Sequence, residues 1–393
     1  MVQNKKHYQD DDMRSLVRQS ITLGSEGRVT EQFRGLFNKI MLSWIFCTLG
    51  VGTSYADETS IQVKAFELPV SSFLSNQTRQ AIKTQTEVDN PAMSKIFETC
   101  GELDGSNIVE SKITRLCQAQ SIYKTAFYKR FTDLYDVAIT PRKIAGVYTE
   151  VIVPKGGVSD ENKNRILINL HGGSMKMMAR YGGRIESIPI ASVGNIRVVS
   201  IDYRMAPEYK YPAATEDVIA VYRKILEDYA PENIGIYGCS AGGMLTARSI
   251  ALFQKEKLPL PGAVGMLCGA ASRYGGDSQH MIMGGLYGKK QEKNQQPSGY
   301  FEGENMDDPL ITPALSEDLL AKFPPSLLIS STRDMLLSSV LHTHQLLTKL
   351  GVEADLHVWE GMDHAFLIWS PDFVESREAY DVVTNFFDKH LGR

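Results

Sequence analysis

Residues 234–243 read Ile-Gly-Ile-Tyr-Gly-Cys-Ser-Ala-Gly-Gly. The apolar start of this stretch, 234–237, reads as a buried strand, and 243–253 is long and apolar enough for a helix. Between them Gly238-Cys239-Ser240-Ala241-Gly242 matches G-x-S-x-G. The bare match recurs by chance in Gly-rich turns, and the strand before it and the helix after it are what give it meaning. Glycines two places before and two places after Ser240 let the chain turn sharply without Cβ clashes. Such a turn lifts the Ser240 hydroxyl off the sheet and sets it at a helix N-terminus, where free N–H groups and the helix dipole favour negative charge.

The rest of the chain fits around this turn. Strands are expected at 145–153 (one or two), 165–170, 198–202, 263–268, 326–330 and 354–359. Helices are expected at 215–229, 336–350 and 371–391. Alternating strands and helices predict an α/β fold with a mostly parallel, doubly wound sheet. Residues 57–140 form an expected N-terminal helical region, with apolar residues near helical spacing at 73–84 and 113–131. It packs on the main domain and is suited to be a lid. The catalytic domain is expected over 141–393. Within it, 273–313 is polar, Gly-rich and dotted with Met, too long for a simple loop, and is expected to complete the lid.

With 393 residues the chain can bury a large core. A formal net charge of -4 suggests neither nucleic acid nor an anionic membrane as partner. Five cysteines occur, with no C-x-x-C pair or Cys/His cluster to suggest zinc. Cys239 and Cys268 fall in or beside core strands. Cys100 and Cys117 flank a short polar segment and can pair if the protein is exported. Residues 1–38 are polar and charged. Lys39, the apolar run that follows it, and Ser54-Tyr55-Ala56 have the form of a secretory signal peptide, too short for a comfortable transmembrane helix. Residues 1–56 are thus expected to be an extension plus leader, with the true start of translation falling downstream of Met1 as one explanation of its length. Cleavage after Ala56 predicts a periplasmic or secreted protein without stable membrane insertion. The alternative is an uncleaved anchor or a cytoplasmic protein. The oligomeric state stays open, a homodimer included.

A serine hydroxyl is a weak nucleophile until a base, oriented by a third group, takes its proton. After this kind of turn the chain order is serine, acid, histidine. Asp334, just past strand 326–330, and His364, in the loop after the last strand, both fall at carboxyl ends of strands, on the rim that carries Ser240. Asp363, Asp307 and Asp308 are rival acids, and Asp363 adjoins His364 too closely in sequence to face its Nδ1. The oxyanion requires donors. His171-Gly172-Gly173-Ser174 follows a strand with unhindered N–H groups. Gly172, Gly173, Ser174 and Ala241 are the expected oxyanion-hole residues, with Gly173, Ser174 and Ala241 as its donors. His171 is expected to orient this loop and not to act as the base.

Together these motifs resemble the hormone-sensitive-lipase-type carboxylesterases, the bacterial family IV branch of the α/β-hydrolases. The resemblance runs from about Tyr148 to the C-terminus. It is carried by His171-Gly172-Gly173, the 202–208 segment Asp-Tyr-Arg-Met-Ala-Pro-Glu, Gly238 to Gly243, Asp308-Pro309-Leu310, Asp334 and the 361–366 segment Gly-Met-Asp-His-Ala-Phe. It implies an α/β-hydrolase fold with a helical cap and hydrolysis of short-chain acyl esters of small molecules through an acyl-enzyme, without metal or cofactor. Two departures stand out: Ser174 replaces a usual third glycine, and Cys239 replaces the more usual Asp or Thr, where core packing is expected. Arg204 and Glu208 are expected to form a buried ion pair with neighbouring loops, Asp217 included. A substrate role for Glu208 is the alternative. The same triad also serves lactones, amides and acetylated substrates, and a non-catalytic binding protein on this fold is the rival of another class.

Overall fold

The computed structural model describes residues 67–85, 91–101, 103, 108–288 and 299–392. The expected leader lies outside the described residues. One compact unit spans Leu68–Arg393 and holds both the N-terminal helices and the sheet.

Eight strands build one sheet in the order β1-β2-β4-β3-β5-β6-β7-β8. They are β1 (Val137–Ile144), β2 (Val147–Pro154), β3 (Ile166–Leu170), β4 (Val198–Ile201), β5 (Ile234–Cys239), β6 (Ala263–Leu267), β7 (Ser326–Arg333) and β8 (Ala354–Asp363). The pairs β1–β2 and β2–β4 are antiparallel and the rest are parallel. Strands β3, β4, β5 and β6 are buried along their whole length, as continuous apolar runs require when helices cover both faces. Side chains alternate between two cores. Leu167 enters one, and Ile166, Ile168 and Leu170 enter the other.

Four helices precede the sheet: α1 (Asn76–Gln85), α2 (Pro91–Cys100), α3 (Ile108–Ile122) and α4 (Ala126–Leu134). The helical stretch expected over 113–131 is therefore two helices, broken at residues 123–125, where Thr125 caps α4 by accepting from the Tyr128 N–H. Then come α5 (Tyr181–Val193), α6 (Ala213–Ile225), α7 (Ala241–Lys255), α8 (Leu337–Lys349) and α9 (Val374–His390). Helices α5 and α9 contribute to the core shared with the cap, where Ile122, Phe131, Ile185 and Phe387 meet. Helices α6, α7 and α8 cover the other face. Cys100 and Cys117 form a disulfide joining α2 to α3. Glu375 of α9 accepts hydrogen bonds from the Ser75 N–H and the Thr78 hydroxyl, which moors α1 to the core.

The two or one strands expected at 145–153 are β2 alone, with β1 lying before them. The boundary expected near 140 falls inside β1. This strand is a half-exposed edge carrying Pro141, Arg142 and Lys143, and an edge tolerates both proline and charge, so its apolar signal is weak. Helix α5 carries little signal in the sequence, because Gly182, Gly183 and Pro189 interrupt its apolar pattern. In the second lid segment a one-turn helix, Asp277–His280, runs into a π-helix, Met281–Leu286.

Candidate active site

Strand order reverses at β3, which has β4 on one side and β5 on the other. Open α/β sheets form a crevice there, outside the carboxyl ends of the strands. The chain leaving β3 carries His171 to Ser174, the chain leaving β5 carries Ser240, and the chains leaving β7 and β8 carry Asp334 and His364.

Ser240 has φ 56° and ψ -120°, a sparsely populated conformation that costs on the order of 1–3 kcal/mol for a residue with a side chain. The surroundings hold it there. Its N–H donates to the Leu267 carbonyl at 2.7 Å, and α7 begins at the next residue. The turn is tight enough that a Cβ on Gly242 would lie 1.7 Å from the Leu170 carbonyl oxygen, so no larger residue fits without moving β3.

Three side chains from three strand ends make one hydrogen-bonded chain. Ser240 Oγ lies 2.9 Å from His364 Nε2, and His364 Nδ1 lies 2.6 Å from Asp334 Oδ1. Asp334 is fully buried. Burial pushes its carboxyl up, but the neighbouring His364, the Leu336 N–H and the Ser330 hydroxyl outweigh this, and the net shift is downward. The carboxylate therefore stays charged and fixes the imidazole with Nδ1 protonated and Nε2 facing the serine. The rival acids lie elsewhere. Asp307 pairs with exposed Arg273, and Asp308 accepts from the Leu310 N–H. Asp363 is raised by burial and does not occupy His364 Nδ1.

The oxyanion loop differs from expectation at one residue. The N–H of Gly172 donates to Glu186 Oε1 at 2.7 Å, so it is not free for a substrate oxygen. The N–H groups of Gly173, Ser174 and Ala241 take no hydrogen bond among the described residues. Gly173 and Ser174 both have positive φ, 105° and 55°, which turns the loop over the crevice. His171 orients it as expected. Its ring is buried, stacks on Tyr203 and donates from Nδ1 to the Gly172 carbonyl at 2.7 Å. Burial lowers its pKa, so it stays neutral.

Cys239 is buried in the core, as expected. Burial pushes its thiol well up, and the neighbouring Cys268 adds to the effect, so it offers no thiolate nucleophile. Ligand atoms of Cys268, Asp334 and His364 lie within 4.8 Å of one another. Both ring nitrogens of His364 are already engaged, however, which leaves that cluster without a free imidazole lone pair for a metal.

The ion pairs of Arg204 and Glu208 go to different partners. Arg204 pairs with Asp217 at 2.9 Å, as expected, and with Glu216, but its side chain is 37% exposed, so this pair is not the buried one expected. Glu208 pairs instead with Arg115 of α3, at 2.7 Å and nearly buried. Its partner was hidden in the cap, where no motif announced it. Arg115 also donates to the backbone carbonyls of Lys176 and Ala206, which ties α3 to the chain that follows the oxyanion loop.

A cavity of about 470 Å³ opens beside His364, lined by Ile82 of α1, Met283 and Tyr287 of the second lid segment, and Met335, Phe366 and Trp369. Both expected lid segments therefore border the site. A larger cavity, about 730 Å³, lies under α3. No triad residue lines it, and its Arg115, Arg180 and Arg204 are paired with carboxylates. Of the two, only the smaller is lined by a triad residue, His364.

A family model described as alpha/beta hydrolase fold matches residues 167–368, just over half of the chain. The chain belongs to this family. Its sequence is 26% identical over 236 residues to an acetyl-hydrolase of Streptomyces hygroscopicus, covering 58% of this chain and 77% of that protein. It is 24% identical over 261 residues to an esterase of Acinetobacter venetianus, covering 64% and 82%. Among solved structures, the esterase E25 superposes with TM-score 0.68 at 26% identity, covering 85% of this chain and all of that one. An esterase from the bacterial hormone-sensitive lipase family has the same fold, with TM-score 0.60, 24% identity and coverage of 78% and 100%. For this hydrolase the resemblance drawn from the motifs alone thus leads to the same family. What the motifs did not announce is Glu186, a buried acid in a largely apolar helix. That contrast is the signal that points to it.

Proposed function

We propose that the protein is a serine carboxylesterase that hydrolyses short- to medium-chain acyl esters of small molecules through an acyl-enzyme. The observation that carries this reading is the hydrogen-bonded chain from Ser240 through His364 to buried Asp334. Ser240 attacks the ester carbonyl and His364 Nε2 takes its proton. Asp334 keeps the ring aligned and stabilises the imidazolium. The oxyanion is held by the N–H groups of Gly173, Ser174 and Ala241 at the start of α7, where the helix dipole adds to their field. His364 then gives its proton to the leaving alcohol and activates water against the acyl-enzyme. The relative named acetyl-hydrolase supports a small acyl group, and the one named esterase supports an ester substrate.

We also infer export to the periplasm or medium. The signal-like segment ending at Ala56 and the Cys100–Cys117 disulfide, a bond that persists in oxidising compartments, support it. An N-terminus at Asp57 in the exported protein is the expected readout.

The catalytic reading is tested with p-nitrophenyl esters of increasing acyl length, using wild type and Ser240→Ala side by side. Fast turnover of the shorter esters that vanishes in the variant supports it. Equal turnover by the two proteins refutes it.

A further inference from the structure

The two halves of the reaction centre sit on separate segments. The oxyanion loop follows β3 and the nucleophile follows β5. The β3–β5 ladder ends at the pair Leu170↔Gly238. Beyond that pair the strands no longer hold one another, yet Gly173 and Ser174 must stand at a fixed distance from Ser240. One side chain spans the gap. Glu186 Oε1 accepts from the Gly172 N–H at 2.7 Å, and Glu186 Oε2 accepts from the Cys239 N–H at 3.3 Å. Gly172 and Cys239 are the residues next to Gly173 and Ser240.

The carboxyl group is itself held. Asn169 Nδ2 on β3 donates to Glu186 Oε2 at 2.9 Å, and Ser200 Oγ on β4 donates to Asn169 Oδ1 at 2.9 Å. This polar chain crosses three adjacent strands beneath α5. Helix α5 approaches so closely that a Cβ on Gly183 would lie 2.0 Å from Ser200 Oγ. Glu186 is only 5% exposed and has no cationic partner among the described residues. An acid in such a place is costly to bury unless donors satisfy it. An apolar side chain would fill the space but leave the buried Gly172 and Cys239 N–H groups without this acceptor, so what this side chain adds to packing is a bond to each of the two loops.

We propose that Glu186 is a positioning residue for the esterase reaction, a clamp that fixes the oxyanion loop against the nucleophile turn. It touches no substrate and acts through Gly172 and Cys239. The clamp sets transition-state geometry and leaves ground-state binding alone. Losing it therefore lowers kcat and the affinity for a tetrahedral adduct together, with little change in KM. The proposal rests on the serine esterase reading above.

The test compares wild type, Glu186→Leu, Glu186→Gln and Ser240→Ala on p-nitrophenyl butyrate. The readouts are kcat, KM, inhibition by a trifluoromethyl ketone that adds to the serine, and the urea unfolding midpoint. Leucine fills the space and accepts nothing. Glutamine keeps one oxygen for the Gly172 N–H. A misplacement of about 1 Å at a reaction centre costs about 10²-fold, so Glu186→Leu is expected to lose about that factor in kcat and in ketone affinity. Glu186→Gln is expected to recover to within about tenfold of wild type in both. Retention of wild-type kcat and ketone affinity by Glu186→Leu overturns the clamp, and so does a loss confined to KM. If Glu186→Leu does not fold, Glu186→Gln decides: a parallel several-fold loss in kcat and ketone affinity supports the clamp, and wild-type values overturn it. Ser240→Ala separates the two ideas. A wild type without esterase activity, or an active Ser240→Ala, refutes the esterase reading itself. Activity confined to the proteins that keep Ser240 leaves only Glu186 to be judged.

Discussion

The Arg115–Glu208 pair is the point where cap and core depend on each other most. The two side chains are 9% and 3% exposed. Arg115 Nε and Nη2 reach the Glu208 oxygens at 3.0 and 2.7 Å, and the same guanidinium serves the carbonyls of Lys176 and Ala206. Arg115→Met leaves a buried carboxylate without its countercharge, an effect that typically costs about 3–5 kcal/mol. Glu208→Gln leaves the cation with its carbonyl acceptors and an amide oxygen, and about 1–3 kcal/mol is expected. In the double variant no buried charge remains, so its cost is expected to fall below the sum of the single costs by about 2 kcal/mol or more. Urea unfolding of the four proteins measures this coupling. Arg115→Met is also expected to lower kcat, since the chain at Lys176 follows directly from the oxyanion loop. Single effects that add within about 0.5 kcal/mol would show that the two groups do not act as a buried pair, and would refute the reasoning.

Asp334→Asn is expected to keep the fold but lose about 10⁴-fold in kcat, because an amide presents the wrong tautomer of the imidazole to the serine; steady-state kinetics check it. Replacing Cys100 and Cys117 by serine opens a loop with a sequence separation of 17 and is expected to cost about 3 kcal/mol on the chain-entropy account, read as a lower urea midpoint than that of the oxidised wild type. Burial pushes the Glu186 carboxyl from its ordinary 4.5 to about 8, against donors that pull it down. Its proton-linked stability is full below about pH 4.5 and is lost as pH rises through about 8, a change on the order of 5 kcal/mol. The stability of Glu186→Gln relative to wild type is therefore expected to rise from pH 5 to pH 8, and a difference that stays flat with pH would contradict this.

The features legible in the sequence are those that chemistry confines to one place. Glycines flanking Ser240 mark a turn because no other residue clears Leu170. Asp334 and His364 were legible because strand ends put them on the same rim. Side chains that act through tertiary contact were not. Arg115 lies in a helix with no motif, and its partner Glu208 is 93 residues away. Glu186 lies in α5, whose glycine pair and proline blur the helical period. Gly172 looked like an oxyanion donor because its neighbours are candidates, and only the buried carboxylate behind it shows that its N–H is taken. Strand β1 was missed because an exposed edge carries little apolar signal.

The central claim is that Ser240 carries the acyl group during turnover. An acid quench of wild type during hydrolysis of p-nitrophenyl acetate, followed by peptide mass analysis, tests it most directly. The account predicts an acetyl group on Ser240 of the wild type, and none in Ser240→Ala. Turnover with no acyl group on Ser240, or an acyl group on another residue at kinetically competent levels, would contradict it.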